Sequence, residues 1–486
     1  MKLVLLVVLV FSAVTARAEL PPDAKALHVL NRLGFGPAPG DMRRIESMGI
    51  ENYIQAQLDP ESMPLPPKLA AQLDGLDTLH LDPVQLFGKY GPPLPARGEK
   101  IDPQAAKDSR RRAHVILEQA AQARLLRAME SPRQLQEVMV DFWFNHFNVF
   151  AEKGLDYLWI GAYEEEAIRP HVLGHFRDIL GATARHPAML FYLDNWLNTA
   201  PDSPGVHGQF EGLNENYARE IMELHTVSRG YTQQDVVTLA QILTGRGLRL
   251  GRFGGDAGDG FFFDRRRHDF SDKMFLGQKI KGRGEAEGEA ALDLLAKSPD
   301  TARHISYELA QYFVSDQPDP VLVDKLARRF LDTDGNIRAV LDALFHSQQF
   351  WDEKNVGNKF KTPYEYVVSA VRASGEDVDN FRPLTGMLQQ LGQPLYGCQT
   401  PDGYKNTQAA WLSPDSMMRR LNFATALGSG YLPLAAPGQR SEPVDPERLA
   451  DTLGRQFSLR TSGAVDAAPR MLKPALILGS PEFMRR

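Results

Sequence analysis

Apolar residues recur at helical spacing along most of the chain. Ala26, Leu27, Leu30 and Leu33 share one face of a segment bounded by Pro21-Pro22 and Gly34, which predicts an amphipathic helix. The same pattern predicts short helices at residues 41–48 and 50–58, and a longer one carrying Ile116, Leu117, Ala120, Ala123, Leu125 and Leu126. Ser131-Pro132 reads as an N-cap followed by proline at the first helical position, opening a helix that runs through Phe142-Trp143-Phe144-Asn145-His146-Phe147. Further helices are expected from Pro170 to before Pro187, and at 213–227, 233–243, 301–313, 320–331, 337–345 and 364–372. Residues 60–105 are rich in proline and irregular, and Gly245 to Gly260 is a glycine-rich loop leading into a short strand at Phe261-Phe262-Phe263. No internal repeat, heptad array or strand–helix alternation is present. The expected fold is therefore mainly α: a single large multi-helix domain at 19–434, with irregular Pro/Gly-rich insertions and at most a short β element. A Pro/Gly-containing C-terminal tail with a final helix is expected at 435–486.

The N-terminus alters where such a protein is expected to act. Lys2, an apolar run from Leu3 to Val14 and the small-x-small triplet Ala16-Arg17-Ala18 predict a cleaved signal peptide at residues 1–18. That run is shorter than the roughly 20 residues a bilayer-spanning helix needs. The expectation is a periplasmic or secreted protein with no stable membrane span. Over 486 residues, 55 Lys+Arg against 61 Asp+Glu leave a net charge of −6, which excludes a general polyanion binder and hence a nucleic-acid partner. The single cysteine, Cys398, excludes a disulfide framework and any cysteine-rich metal site. The motifs HExxH, GxSxG, GxGxxG and GxxxxGK(S/T) are absent, so the familiar zincin, α/β-hydrolase, Rossmann and P-loop chemistries are not the leading candidates.

Four stretches could carry chemistry. On a helical wheel, Asn214 to Thr226 (NENYAREIMELHT) places Asn216, Arg219, Glu220 and Glu223 on one face. Two carboxylates one turn apart can act as acid and base or share a metal; the plainer alternative is an Arg219–Glu223 surface ion pair. His225 falls on the opposite side and reads as a core histidine. Second, Asn145 and His146 sit in a dense aromatic run, where an imidazole is kept neutral and able to act as a base. Asn145 would hold an oxygen there, and Trp143 would offer a face to a sugar; the alternative is a buried pair satisfying loop backbone. Third, His171, His175 and Asp178 are spaced as three ligands on one helix face or as a solvated stripe. Fourth, His268 and Asp269 follow Arg265-Arg266-Arg267, with Lys273 nearby.

The same stretches, in order, resemble a bacterial family catalogued as domain of unknown function 1800. The matching pieces include HVLNRLGFGPAPGD (His28 to Asp41), FWFNHFNV (Phe142 to Val149), RPHVLGHFRDIL (Arg169 to Leu180), HPAMLFYLDN (His186 to Asn195) and NENYAREIMELHT. They continue with YTQQDV (Tyr231 to Val236), FDRRRHDFSDKMFLG (Phe263 to Gly277), DGNIRAVLDALFHSQQF (Asp334 to Phe350), KTPYEYVVSAVRASG (Lys361 to Gly375) and PDGYKNTQAAWLS (Pro401 to Ser413). The resemblance implies an exported, mostly helical protein, and a sulfatase-like exported partner, because relatives often neighbour such a gene. It implies no established activity. Two positions depart from the family pattern: Arg246 stands where a tryptophan is usual, and His175 is not part of the motif.

Together these readings lead to an expected enzyme acting on an extracellular or envelope polymer, a glycan foremost, by acid/base chemistry. Its catalytic candidates are His146, Glu220, Glu223 and His268, and its substrate-binding candidates are Trp143, Asn145, Asn214, Asn216, Tyr217, Arg219 and Asp194. A metal-dependent hydrolase, with a divalent metal on His171, Glu220 and Glu223, is one alternative. A non-enzymatic envelope assembly or secretion factor is the other.

Overall fold

Prolines and small polar residues fix where the helices begin. Thr362 accepts from the backbone of Glu365, whose carboxylate returns a bond to the Thr362 N–H, and Pro363 fills the first helical position. The side chains of Ser298, Asp319 and Ser413 also cap proline-led helices, without the return bond. Each such cap satisfies one of the backbone donors that a helix start leaves free. One boundary differs from expectation. The helix after Ser131-Pro132 starts at Gln134 with no side-chain cap, because Gln134 Nε2 instead bonds back to the carbonyls of Ala128 and Ser131.

The computed structural model describes residues 20–93, 102–249, 258–436 and 438–486. The expected signal peptide, residues 94–101 of the proline-rich stretch and residues 250–257 of the glycine-rich loop lie outside the described residues. The fold is mainly α, with a short β element: Arg246–Leu248 pairs antiparallel with Phe261–Phe263, and Lys273–Phe275 with Gln278–Ile280. No helix among the described residues is long and apolar enough to cross a membrane.

At the centre stands the Pro363–Ser374 helix, buried at every residue. Its Arg372 is not stranded there, since it donates to the Gly36 and Met129 carbonyls and pairs with Asp41 at 3.2 Å, as a buried guanidinium must. One continuous apolar cluster runs from Ala26 to Met484. The segment expected as a C-terminal tail joins it: Leu449, Ile477, Leu478 and Phe483 are buried in that cluster, and the Lys361 N–H donates to the Met484 carbonyl at 2.9 Å. Buried residues between Val444 and Met484 thus belong to the same core. Within this frame the Gln134–His146 and Pro299–Phe313 helices and the turn ending at His225 all supply residues to one cavity.

Candidate functional site

The NENYAREIMELHT segment is not one regular helix. It runs as an α-helix over Asn216–Glu220 and then widens into a π-turn over Ile221–His225. The Thr226 hydroxyl closes this turn on the Ile221 carbonyl at 2.6 Å, and Ser228 follows with a left-handed φ of 59°. The carbonyls of Leu224 and His225 are thereby turned toward other elements. His304 Nε2 lies 3.0 Å from Leu224 O, and His146 Nε2 lies 3.1 Å from His225 O. A carbonyl only accepts, so both rings carry their proton on Nε2, and in a neutral ring Nδ1 keeps the lone pair.

His146 ends the Gln134–His146 helix, and His304 and Glu308 sit one turn apart on the Pro299–Phe313 helix. Their ligand atoms lie within 4.8 Å of one another. His146 Nδ1 is 2.7 Å from Glu308 Oε2, and His304 Nε2 is 3.6 Å from Glu308 Oε1. Burial works against the charge of Glu308, but His146 and His304 outweigh it and hold the carboxyl below the usual glutamate range. The three residues line a cavity of about 260 Å³ together with Glu223, Gln311, Asp402, Tyr404 and Lys405.

The asparagines beside His146 shape the cavity wall. Asn145 Nδ2 donates to the Tyr404 carbonyl at 2.8 Å while its Oδ1 accepts from the Tyr404 N–H at 2.7 Å. Asn148 Nδ2 donates to the carbonyls of Cys398 and Thr400. Helix end and loop are thus clamped on both sides of His146, which holds Asp402, Tyr404 and Lys405 at the cavity.

The family comparison agrees with the motifs that build this site. A family model described as protein of unknown function (DUF1800) matches residues 28–485. The chain belongs to the DUF1800 family. No curated protein and no solved structure matches it. The cavity of this DUF1800 chain is built from the aromatic Asn–His stretch at Phe142 to Asn148, from Glu223, Leu224 and Ser228 at the π-turn, and from the loop at Asp402 to Asn406, with His304 and Glu308 contributed from a helix between them.

The positions expected from sequence divide sharply. His146 and Glu223 line the cavity. Asn145 also lines the cavity, and both ends of its amide bond the Tyr404 backbone. Trp143 offers no sugar face: it is 0 % exposed and donates to the Val172 carbonyl. Tyr217 is buried. Asn214 and Asn216 form a local turn in which the Asn216 N–H donates to Asn214 Oδ1. Arg219 pairs with Glu215 at 3.0 Å and bonds Gln233, rather than pairing with Glu223. Glu220 is pushed above the usual glutamate range by burial first and by Glu223 second, yet it does not line the cavity. Asp194 pairs with Lys153 at 3.0 Å.

Two expected histidine roles are corrected. His268 is sealed in the interior, 2.9 Å from Glu287, which also binds Lys273 at 2.8 Å and receives the Arg283 and Gly284 N–H groups. That network ties the start of the Glu285–Ala296 helix to the β-strands, out of reach of a substrate. His171 does not meet Glu220 and Glu223 in a metal-binding group: among the described residues the one such group is His146, His304 and Glu308. The His171, His175 and Asp178 stripe fails because the helix begins only at Phe176, and His175 is held by the Asp334 carbonyl at 2.9 Å. His304 and Glu308 are absent from the sequence-derived candidates, although their spacing of four on an amphipathic helix was the available signal.

Proposed function

We propose that this protein is a hydrolase whose active centre is the cavity bounded by His146, His304 and Glu308, and whose substrate is a polymer outside the cytoplasm, a glycan foremost. The observation that carries the reading is the convergence of those three side chains, within 4.8 Å of one another, on a cavity large enough for a substrate group. Two other polar clusters are spent: His268, Glu287 and Lys273 bond one another in the interior, and Arg124, in the cavity wall, is consumed by Asp141 and Glu164. The triad is where a water would be activated. Glu223, lining the same cavity, supplies a second carboxyl group for proton transfer to the departing oxygen. Positioned acid–base groups of this kind contribute about 10²–10⁴-fold to rate. The leader-like N-terminal pattern, with Leu3 to Val14 ahead of Ala16-Arg17-Ala18, supports export.

The test is a panel of polysaccharides and chromogenic glycosides and esters, assayed with the full chain and with His146→Ala and Glu308→Gln. The expected result is turnover by the parent chain that falls by at least ~100-fold in both variants, with His171→Ala unaffected. A substrate hydrolysed equally by the parent and both variants removes the cavity from the reaction. The alternative of a non-enzymatic assembly factor requires that in-cell function survive both substitutions.

A further inference from the structure

His146 and Glu308 meet at close range in the cavity wall. His146 Nδ1 and Glu308 Oε2 are 2.7 Å apart, yet Glu308 Oε2 is shielded from solvent and has no hydrogen-bond partner. The His146 ring is already anchored through Nε2 to the His225 carbonyl, so in a neutral ring the atom facing Glu308 is a lone pair. A ring nitrogen held this close to a carboxylate oxygen calls for positive charge, supplied either by a second proton on the ring or by a cation between the two atoms. The second histidine is anchored by the neighbouring carbonyl, but the nitrogen it turns to Glu308 is Nε2, 3.6 Å from Oε1. That same Nε2 lies 3.0 Å from the Leu224 carbonyl, one residue from the carbonyl that holds His146, so coordination by His304 requires Nε2 to exchange this carbonyl for the ion.

We propose that His146, His304 and Glu308 form a divalent-cation site, with zinc the ion it fits best. Two imidazole nitrogens and one carboxylate suit a borderline first-row ion, whereas calcium and magnesium favour all-oxygen shells. The His225 carbonyl, which receives the distal N–H of His146, is the usual outer support of a ligating histidine, fixing its tautomer and ring orientation. A tetrahedral ion with bonds of about 2.0–2.1 Å sets its donor atoms roughly 3.3 Å apart. The 2.7 Å contact and the 4.8 Å limit bracket that spacing, so small side-chain rotations close the shell. Three protein ligands leave a fourth position toward the cavity, the arrangement of catalytic rather than structural zinc. The inference deepens the hydrolase reading: the ion is what would lower the pKa of a bound water in that cavity.

The experiment uses the purified full chain, stripped with a chelator, then loaded with zinc chloride and passed through gel filtration before elemental analysis. The expected result is one zinc per chain, with apparent affinity weakened by at least ~100-fold in His146→Ala, His304→Ala and Glu308→Gln. His171→Ala and His346→Ala should retain it. Zinc held equally by all three site variants, or no zinc in the parent chain, overturns the site. Should the alanine variants not fold, cobalt(II) loaded into the parent chain decides: intense visible d–d bands of a low-coordinate ion support the site, and their absence overturns it. The two readings fail separately. Zinc bound without hydrolysis of any substrate sinks the hydrolase, and hydrolysis by a zinc-free, chelator-treated chain sinks the cation.

Discussion

Asn145 and Tyr404 hold each other through both halves of one amide: Nδ2 donates to the Tyr404 carbonyl at 2.8 Å and Oδ1 accepts from the Tyr404 N–H at 2.7 Å. The loop can approach this closely because residue 403 is glycine, with φ of 64°, where an added Cβ would stand 2.2 Å from the Asn145 carbonyl oxygen. The pair is the fastening between the helix that carries His146 and the loop that carries Asp402 and Lys405.

Asn145→Ala is therefore expected to act on the loop first. Losing two hydrogen bonds should cost about 1–3 kcal/mol, read as a lower urea midpoint with unchanged m-value. Limited proteolysis should shift to residues 401–406, and Gly403→Ala should reproduce both effects. Unchanged stability and cleavage pattern in Asn145→Ala would mean that the clamp is not what holds the loop.

Glu287 gives a prediction of the opposite kind, large for stability and silent for the cavity. It is fully buried, with His268 and Lys273 on its two oxygens. Removing Lys273 leaves a buried carboxylate short of its counter-charge, so Lys273→Met should destabilise by roughly 3–5 kcal/mol. Zinc stoichiometry and any turnover should be unchanged under conditions where the variant is folded. A selective loss of turnover without loss of stability would return His268 and its partners to the list of functional groups.

Arg246 carries its guanidinium into the interior from the first residue of the Arg246–Leu248 strand. It is buried, lies over the Phe261 ring with its guanidinium 5.7 Å from the centroid, and pairs with Glu289 at 3.1 Å. Room for it comes from Gly288, inside the Glu285–Ala296 helix, where an added Cβ would meet Arg246 Nη2 at 2.4 Å. Gly→Ala within a helix ordinarily gains about 1 kcal/mol. Here Gly288→Ala should instead cost about 1–3 kcal/mol through overpacking, and the sign should reverse in an Arg246→Ala background. Thermal unfolding of the four chains of that cycle measures the coupling.

These residues also show where sequence reasoning reaches and where it stops. Helical periodicity carries the fold class because each apolar stripe is buried, as with Leu322, Leu326 and Phe330 on one face of Pro320–Asp332. His146 and Glu223 were legible because polar groups in aromatic, helix-forming surroundings must be used or paired. The π-turn at Ile221–His225 was not legible, since IMELH fits an ordinary helical wheel and the widening is tied to distant histidines accepted by its carbonyls. His304 and Glu308 look like any helix-surface pair until His146, from another helix, is placed beside them. Trp143 illustrates the remaining ambiguity. An aromatic ring next to a histidine reads the same whether it faces a ligand or the core, and only burial distinguishes the two.

His28 and His186 predict how the fold responds to acid. Burial, and then the charge of Arg32, lowers His28 to about 3; burial lowers His186 to about 3. Both rings are thus neutral in the folded chain, whereas in the unfolded chain they titrate near the ordinary histidine value of about 6.5. Below that value the unfolded state takes up protons that the folded state refuses. Stability is therefore complete above about pH 6.5 and falls as the pH drops toward about 3, where the loss levels off. At pH 5 each ring should cost on the order of 2 kcal/mol. His186 accepts the Ala188 N–H through Nδ1, a role asparagine can keep without taking a proton. In His186→Asn, urea unfolding at pH 7.5 and 5.0 should show a smaller acid-induced loss than in the parent chain, reduced by on the order of 2 kcal/mol. An equal loss in both chains would show that His186 is already charged, or already solvated, in the folded state.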